Sequence, residues 1–79
     1  MIIRDALTTR QYEVLGYVGR GYTVESLAHE LGVSPATART HVQHILTRVK
    51  ARTRAQAAAM WAAEETERLM RQAYGLGDG

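Results

Sequence analysis

Seven polar side chains recur at helical spacing between positions 37 and 48, and none is a carboxylate: Thr37, Arg39, Thr40, Gln43, His44, Thr47 and Arg48. Arginine can donate two hydrogen bonds to O6 and N7 of guanine, and glutamine can pair with N6 and N7 of adenine. A threonine methyl group can pack on the methyl group of thymine. On one helix face, Arg39, Thr40 and Gln43 would therefore suit contacts with base edges in the major groove of double-stranded DNA. We call the seven residues the outer face.

The segment that carries the outer face has the start and the period of a helix. Gly32 can end a preceding helix in the left-handed conformation, Ser34 is a good N-cap, and Pro35 is favoured at the first helical position. Four apolar residues follow at spacings of four, three and four: Ala38, Val42, Ile45 and Val49. This spacing predicts a helix over 35–49 whose apolar stripe faces a core.

Charge is unevenly distributed along the chain, although the net charge is only +2. The window 31–63 contains no acidic residue and five cationic ones: Arg39, Arg48, Lys50, Arg52 and Arg54. A charge run alone usually indicates a solvated helix face. Beside a helix of the kind above, it indicates a nucleic-acid partner instead, with Arg48, Lys50, Arg52 and Arg54 contacting phosphates. His44 and Thr47 are expected to contact the DNA backbone as well.

Length and composition predict one small soluble domain over 1–79. A chain of 79 residues buries only about 60% of its unfolded surface, so its thin core favours help from a second subunit. The chain has no cysteine, which suits a reducing cytosol. Its longest apolar run, 57–63, is too short to span a bilayer, and the first residues lack the order of a signal peptide. We expect a cytoplasmic protein that does not associate with membranes.

The sequence does not predict an enzyme or a cofactor. It offers no nucleophile and base pair, no phosphate-binding glycine loop and no paired carboxylates. His41 and His44 are three residues apart, but no third ligand lies near them, so we expect no metal site. His41 is instead expected to pack and to form a hydrogen bond, and no small-molecule ligand is evident.

The rest of the chain predicts three more helices and no strand, hence an all-α fold. Thr8 and Gln11 form a capping box for a first helix that runs to about Val18. Thr23 caps a second helix of about eight residues, and the turn after it leads into the helix over 35–49. A short helix, a tight turn and a helix with a polar outer face make a helix-turn-helix.

A long fourth helix is predicted from a second capping box, Thr53 to Gln56, to about Tyr74, followed by a frayed tail over 75–79. A seam of small and apolar residues runs along it at spacings of three and four: Ala59, Ala62, Thr66, Leu69 and Ala73. We expect this seam to be a homodimer contact that is weak without DNA, with Met60, Trp61, Leu69 and Met70 supplying bulk around it. The alternative is that Met60, Trp61 and the alanines only complete the core. Glu64 with Arg68, and Glu67 with Arg71, are expected outward ion pairs.

Over residues 7–63 the chain resembles the DNA-binding domain of the LuxR/GerE/FixJ type, including response regulators of the NarL group. The resemblance is carried by Leu7-Thr8-x-Arg10, Glu13-Val14-Leu15, Gly21, Leu27-Ala28-x-x-Leu31-Gly32-Val33-Ser34, Thr37-x-Arg39-x-His41, Ile45 and Arg54-x-x-Ala57. It implies a bacterial or phage regulator whose third helix binds the major groove and whose fourth helix forms a two-fold dimer. It also implies base contacts at Arg39, Thr40 and Gln43, and backbone contacts near Thr23, Ser34 and Thr37.

Several positions depart from this resemblance. A larger aliphatic residue is usual at Ala38, Glu is usual at Gln11, and more polar residues are usual at 24–26. The helical extension over 64–74 lies outside the pattern. Most members also carry a receiver or ligand-sensing domain, and the start at Met1 favours a stand-alone regulator over an excised domain.

Two other functions fit the same pattern. The first is an interaction module, such as an anti-activator that caps a related regulator with its fourth helix. The second is a domain like region four of a sigma factor, which would not require Arg54-x-x-Ala57 or the long fourth helix. We rank both below a sequence-specific regulator of transcription.

Overall fold

A computed structural model describes residues 3–75, which form an all-α fold without strands. A short 3₁₀ helix, Ile3–Ala6, precedes four α-helices: α1 (Thr9–Gly19), α2 (Val24–Leu31), α3 (Pro35–Val49) and α4 (Arg54–Tyr74). The four predicted helices are thus confirmed, whereas the 3₁₀ helix was not predicted. Residues 76–79 of the predicted tail lie outside the described residues.

Side-chain caps fix where the helices begin. Thr8 accepts a hydrogen bond from the Gln11 backbone N–H, and the Gln11 side chain accepts one from the Thr8 N–H, which completes the predicted capping box. The box predicted at α4 is only half formed. Thr53 caps the Gln56 N–H, but Gln56 Oε1 accepts from the Arg52 N–H at 2.7 Å instead of from Thr53. Gln56 therefore ties the α3–α4 link to α4.

The core lies where α1, α2 and α3 meet the first turns of α4. Its most buried large side chains are Leu15, Leu27, Ile45 and Val49. The predicted stripe of α3 is entirely buried, and Ala38 is fully enclosed despite its small size. Because α3 buries one stripe, the opposite face of the same helix is left to solvent.

The 3₁₀ helix is attached to α4 by carboxylates that the sequence did not place there. Glu64 accepts hydrogen bonds from the backbone N–H groups of Ile3 and Arg4, at 2.7 and 3.1 Å. The predicted outward pair of Glu64 with Arg68 is therefore wrong, because free N–H groups at the start of a helix are strong partners for a carboxylate. Arg68 instead pairs with Glu65, at 3.0 Å. The predicted pair of Glu67 with Arg71 is present, at 2.7 Å.

Glu65 joins α4 to α1. Its carboxylate accepts a hydrogen bond from the Tyr12 hydroxyl at 2.8 Å and two from the Arg68 guanidinium. The hydrogen bonds from Arg68 and then from Tyr12 hold the pKa of Glu65 below its ordinary value. The pKa of Tyr12 is raised, mainly by burial and secondly by the hydrogen bond to Glu65. Because the pKa of Glu65 is lower in the folded than in the unfolded protein, these hydrogen bonds stabilise the fold fully at pH values above the unfolded-state pKa of Glu65. That stabilisation is lost as the pH falls through the folded-state pKa.

Trp61 packs against α1 at Gly19. A Cβ atom added to Gly19 would lie 2.2 Å from Cε3 of Trp61, and the Arg20 guanidinium lies 5.9 Å from the Trp61 ring centroid. Met60 and Trp61 are both partly buried against the core. The expectation that these two side chains add bulk around the α4 seam is therefore wrong, since they point toward α1 and the core.

Gly19→Ala is expected to lower the free energy of unfolding by about 1 to 3 kcal/mol, because the new methyl group must displace Trp61. Gly16→Ala is the matched control on the same helix. A Cβ there would meet its nearest neighbours at 3.5 to 3.7 Å, so the usual preference for alanine inside a helix should raise stability by up to about 1 kcal/mol. Urea denaturation of both variants measures the difference. Equal effects would mean that Trp61 does not pack on Gly19.

Candidate nucleic-acid interface

The helix-turn-helix is formed by α2, the turn over 32–34 and α3. Gly32 adopts φ +69°, a left-handed conformation that glycine accommodates without strain. The Val33 N–H then donates to the Ala28 carbonyl at 3.0 Å, which closes α2. Ser34 accepts from the Thr37 N–H at 3.1 Å and Pro35 occupies the first turn of α3, as predicted. The turn fixes the direction in which α3 leaves α2.

All seven outer-face residues are exposed on α3, including the predicted base contacts Arg39, Thr40 and Gln43. His44, Thr47 and Arg48 continue this surface toward the end of the helix. His41 is exposed too, and its side chain forms no hydrogen bond within residues 3–75. The expected packing role of His41 is therefore wrong, since the buried residues of α3 are Ala38, Val42, Ile45, Leu46 and Val49.

The ten cationic side chains of the chain divide into two groups of five. Arg4, Arg10, Arg68 and Arg71 each form an ion pair with a glutamate, and Arg20 lies over the rings of Tyr17 and Trp61. The other five are those of the window 31–63, and all are exposed. None of these five has a carboxylate partner within 4.0 Å in the described part of the chain. Cations without internal partners are available to an anionic ligand.

Lys50 ends α3 in an unusual backbone conformation. Its φ is +60°, and it is the one described non-glycine residue with a positive φ. The left-handed conformation costs an L-residue free energy, and this position after a helix is most often glycine. The conformation lets the Ala51 N–H donate to the Leu46 carbonyl at 2.9 Å. The Lys50 side chain is exposed, two residues before Arg52. The sequence predicted the lysine as a phosphate contact but not its strain.

The other predicted backbone contacts lie at helix starts. Thr23 caps α2, where it accepts from the Ser26 N–H at 3.1 Å, and Ser26 in turn accepts from the Thr23 N–H. Arg54 is the first residue of α4, and it lines a shallow groove together with Thr23 and Tyr22. The fold therefore brings Thr23 and Arg54 together, although they are far apart in the sequence.

The predicted seam of α4 is exposed at all five positions. All charged residues of α4 lie away from it, so this face carries no charge from Ala55 to Ala73. Leu69, Met70 and Tyr74 are large apolar side chains that are 54%, 49% and 72% exposed. The predicted seam did not include Ala55, which lies on the same face. Ala55 could have been found by extending the spacing of the seam by four residues toward the N-terminus.

The described residues offer no group of three or more metal-ligating side chains that could hold a metal ion. Within residues 3–75, no helix is both long enough and apolar enough to cross a membrane.

Comparison with known proteins gives a family and several relatives. The family model described as bacterial regulatory proteins, luxR family, matches residues 5–61. The HTH-type transcriptional regulator MalT of Vibrio cholerae is 34% identical over 70 residues, which cover 89% of this chain and 8% of MalT. The nitrate/nitrite response regulator protein NarL of Escherichia coli is 30% identical over 61 residues, which cover 77% of this chain and 28% of that protein.

A probable transcriptional regulatory protein NarL of Mycobacterium tuberculosis is 35% identical over 57 residues, 72% of this chain and 26% of its own length. The chain thus spans less than a third of each of these curated relatives. No solved structure gives a significant match.

Proposed function

The chain belongs to the luxR family of bacterial regulatory proteins, and on this premise we propose that it regulates transcription by binding double-stranded DNA as a homodimer, with α3 in the major groove. The observation that carries the proposal is the group of five exposed cations without internal partners, which lies on α3, the link after it and the first residue of α4. A carboxylate-free helix face beside unpaired cations suits a polyanion.

We assign the base contacts to Arg39, Thr40 and Gln43. Arg39 and Thr40 lie in the first half of α3, Gln43 follows one turn after Arg39, and all three are exposed. Helices of this motif contact bases mainly through their N-terminal residues. Arg48, Lys50, Arg52 and Arg54 lie at the other end of α3 and beyond it, where we assign phosphate contacts. The strained backbone of Lys50 supports this assignment, because strain of this kind is concentrated at functional positions.

We assign the dimer contact to the exposed face of α4. A charge-free face with large apolar side chains on a helix of 21 residues is an unfavourable surface to leave in water. Two copies paired through α4 would present two α3 helices to a site with two-fold symmetry. Such a dimer would act in the cytoplasm, where the DNA is. An anti-activator that pairs through α4 would use the same face, but it would not need Arg39.

Arg39→Ala is expected to weaken binding to a preferred site by about 1 to 3 kcal/mol and to relax the choice at one base pair, because arginine can donate a bidentate pair to guanine. Arg52→Ala is the matched control, since it removes one charge outside the base-contacting region and should weaken all sequences alike. Titration of each variant on the preferred duplex and on random duplexes measures both effects. Equal losses on the two duplexes for both variants would contradict the assignment, and an indifferent Arg39→Ala would favour the anti-activator.

A further inference from the structure

The threonines of the outer face differ in what their hydroxyl groups do within the protein. The Thr40 hydroxyl donates a hydrogen bond to the Ala36 carbonyl at 3.1 Å, and the Thr47 hydroxyl donates one to the Gln43 carbonyl at the same distance. Thr37 Oγ1 instead accepts a hydrogen bond from the Ser34 hydroxyl at 3.0 Å. The Thr37 proton has no acceptor within residues 3–75. Thr40 and Thr47 therefore offer a ligand only an acceptor, whereas Thr37 can still donate a hydrogen bond.

A hydroxyl group whose proton is already donated can only accept further hydrogen bonds. In the major groove, guanine presents only acceptors, whereas adenine and cytosine present an amino donor, and thymine presents a methyl group next to an acceptor. The oxygen of Thr40 can therefore accept from an amino group but cannot donate to guanine. Among base pairs, A·T alone combines an amino donor with a methyl group, so it matches both the oxygen and the methyl group of Thr40.

We propose that Thr40 selects an A·T pair by accepting from N6 of adenine and packing its methyl group on the thymine methyl group, while Thr37 alone among these threonines donates to a phosphate. The inference rests on the proposed function and makes it more specific. Phosphate oxygens are acceptors, so Thr47, whose hydroxyl already donates to the Gln43 carbonyl, would form no hydrogen bond with the DNA backbone. This revises the backbone contact that the sequence led us to expect at Thr47. Thr40 is thus a base contact, Thr37 is a phosphate contact, and Thr47 forms no hydrogen bond with DNA.

Conservative variants separate these roles, because valine and serine each keep one part of threonine. Thr40→Val keeps a methyl group and loses the acceptor, so it should weaken binding to the preferred site about two- to tenfold. Thr37→Val should weaken binding to preferred and random duplexes alike, by a similar factor, because a phosphate contact carries no sequence information. Thr9→Val, at an exposed position at the start of α1 and outside this surface, is the control and should change neither. Circular dichroism checks that all three remain helical.

The methyl contact is tested by replacing single thymines of the preferred site with uracil, which lacks only the methyl group. At one position, the substitution should weaken the wild type about fourfold, as expected for loss of one buried methyl group. It should leave Thr40→Ser unaffected, because serine lacks the methyl group but keeps the oxygen. Equal sensitivity of wild type and Thr40→Ser at every thymine would overturn the inference.

A second result would also overturn it. If the wild type prefers guanine at the base pair where Thr40→Val loses selectivity, the Thr40 hydroxyl must donate a hydrogen bond to that base. The inference then fails while the proposed function stands. If the wild type prefers no sequence at all, the proposed function fails and the inference fails with it. The two failures are therefore distinguishable on the same set of duplexes.

Discussion

The affinity for duplex DNA is expected to fall roughly 500-fold per protomer between about 50 and 200 mM monovalent salt, because each neutralised phosphate releases counterions. The five unpaired cations, four assigned to phosphate contacts and Arg39 in the groove, should together neutralise about five phosphate charges per protomer. Log K should then fall with log salt with a slope of about −4 to −5. Fluorescence anisotropy of a labelled duplex at a series of salt concentrations measures the slope.

Two variants show whether the slope comes from these cations. Arg52→Gln removes one unpaired charge and should make the slope shallower by about one unit. Arg71→Gln removes a charge that is already paired with Glu67 on α4, at 2.7 Å, and should leave the slope unchanged. A wild-type slope near zero would eliminate DNA as the partner.

Ala62→Glu is expected to abolish cooperative binding to a duplex with two half-sites and to leave affinity for a single half-site nearly unchanged. Ala62 lies in the middle of the exposed, charge-free face of α4, where two helices could approach closely. A charge buried at a close helix crossing has no partner there, and its desolvation is costly. Without the dimer contact, the second α3 is no longer delivered at high effective concentration once the first has bound.

Titration of one and two half-sites, together with sedimentation of the free protein, measures this effect. The α4 contact is small because alanines bury little apolar area, so the free dimer should dissociate at micromolar concentrations. Gln72→Glu adds the same charge at an exposed position of α4 away from the seam, and it should retain cooperativity. Unchanged cooperativity in Ala62→Glu would place the dimer contact elsewhere on the molecule.

The helices could be predicted from the sequence because their boundaries are set locally. Thr8, Thr23, Ser34 and Thr53 each cap the helix that follows, and Gly32 ends α2. The stripe and the outer face of α3 follow from a single period, so burial and exposure on that helix were predictable together. These features depend on residues within a few positions of one another.

Features that depend on distant residues could not be predicted in this way. Glu64 meets the backbone of Ile3, and Trp61 meets Gly19, only because α4 folds back along α1. Spacing within α4 favoured an ordinary ion pair for Glu64 and an outward position for Trp61. His41 was expected to pack and to form a hydrogen bond, yet it is exposed.

The candidate interface was predictable in its members but not in its detailed chemistry. Residue types and spacing indicate which side chains of α3 can contact DNA. They do not show that the Thr40 hydroxyl donates a hydrogen bond to the Ala36 carbonyl, or that Lys50 adopts a left-handed conformation. Both depend on the exact path of the backbone, which fixes the carbonyl that a hydroxyl meets and the direction in which a helix ends.

Selection of binding sites from random duplexes tests sequence-specific binding by α3 most directly. The expected product is a motif with two inverted half-sites, because a two-fold dimer presents two α3 helices. The centres of the half-sites should be separated by about one turn of the DNA helix or by a multiple of one turn. The same selection with Arg39→Ala should lose the preference at one position of each half-site. A pool that stays random with the wild type, under low-salt conditions in which the protein is folded, would contradict sequence-specific binding by this helix.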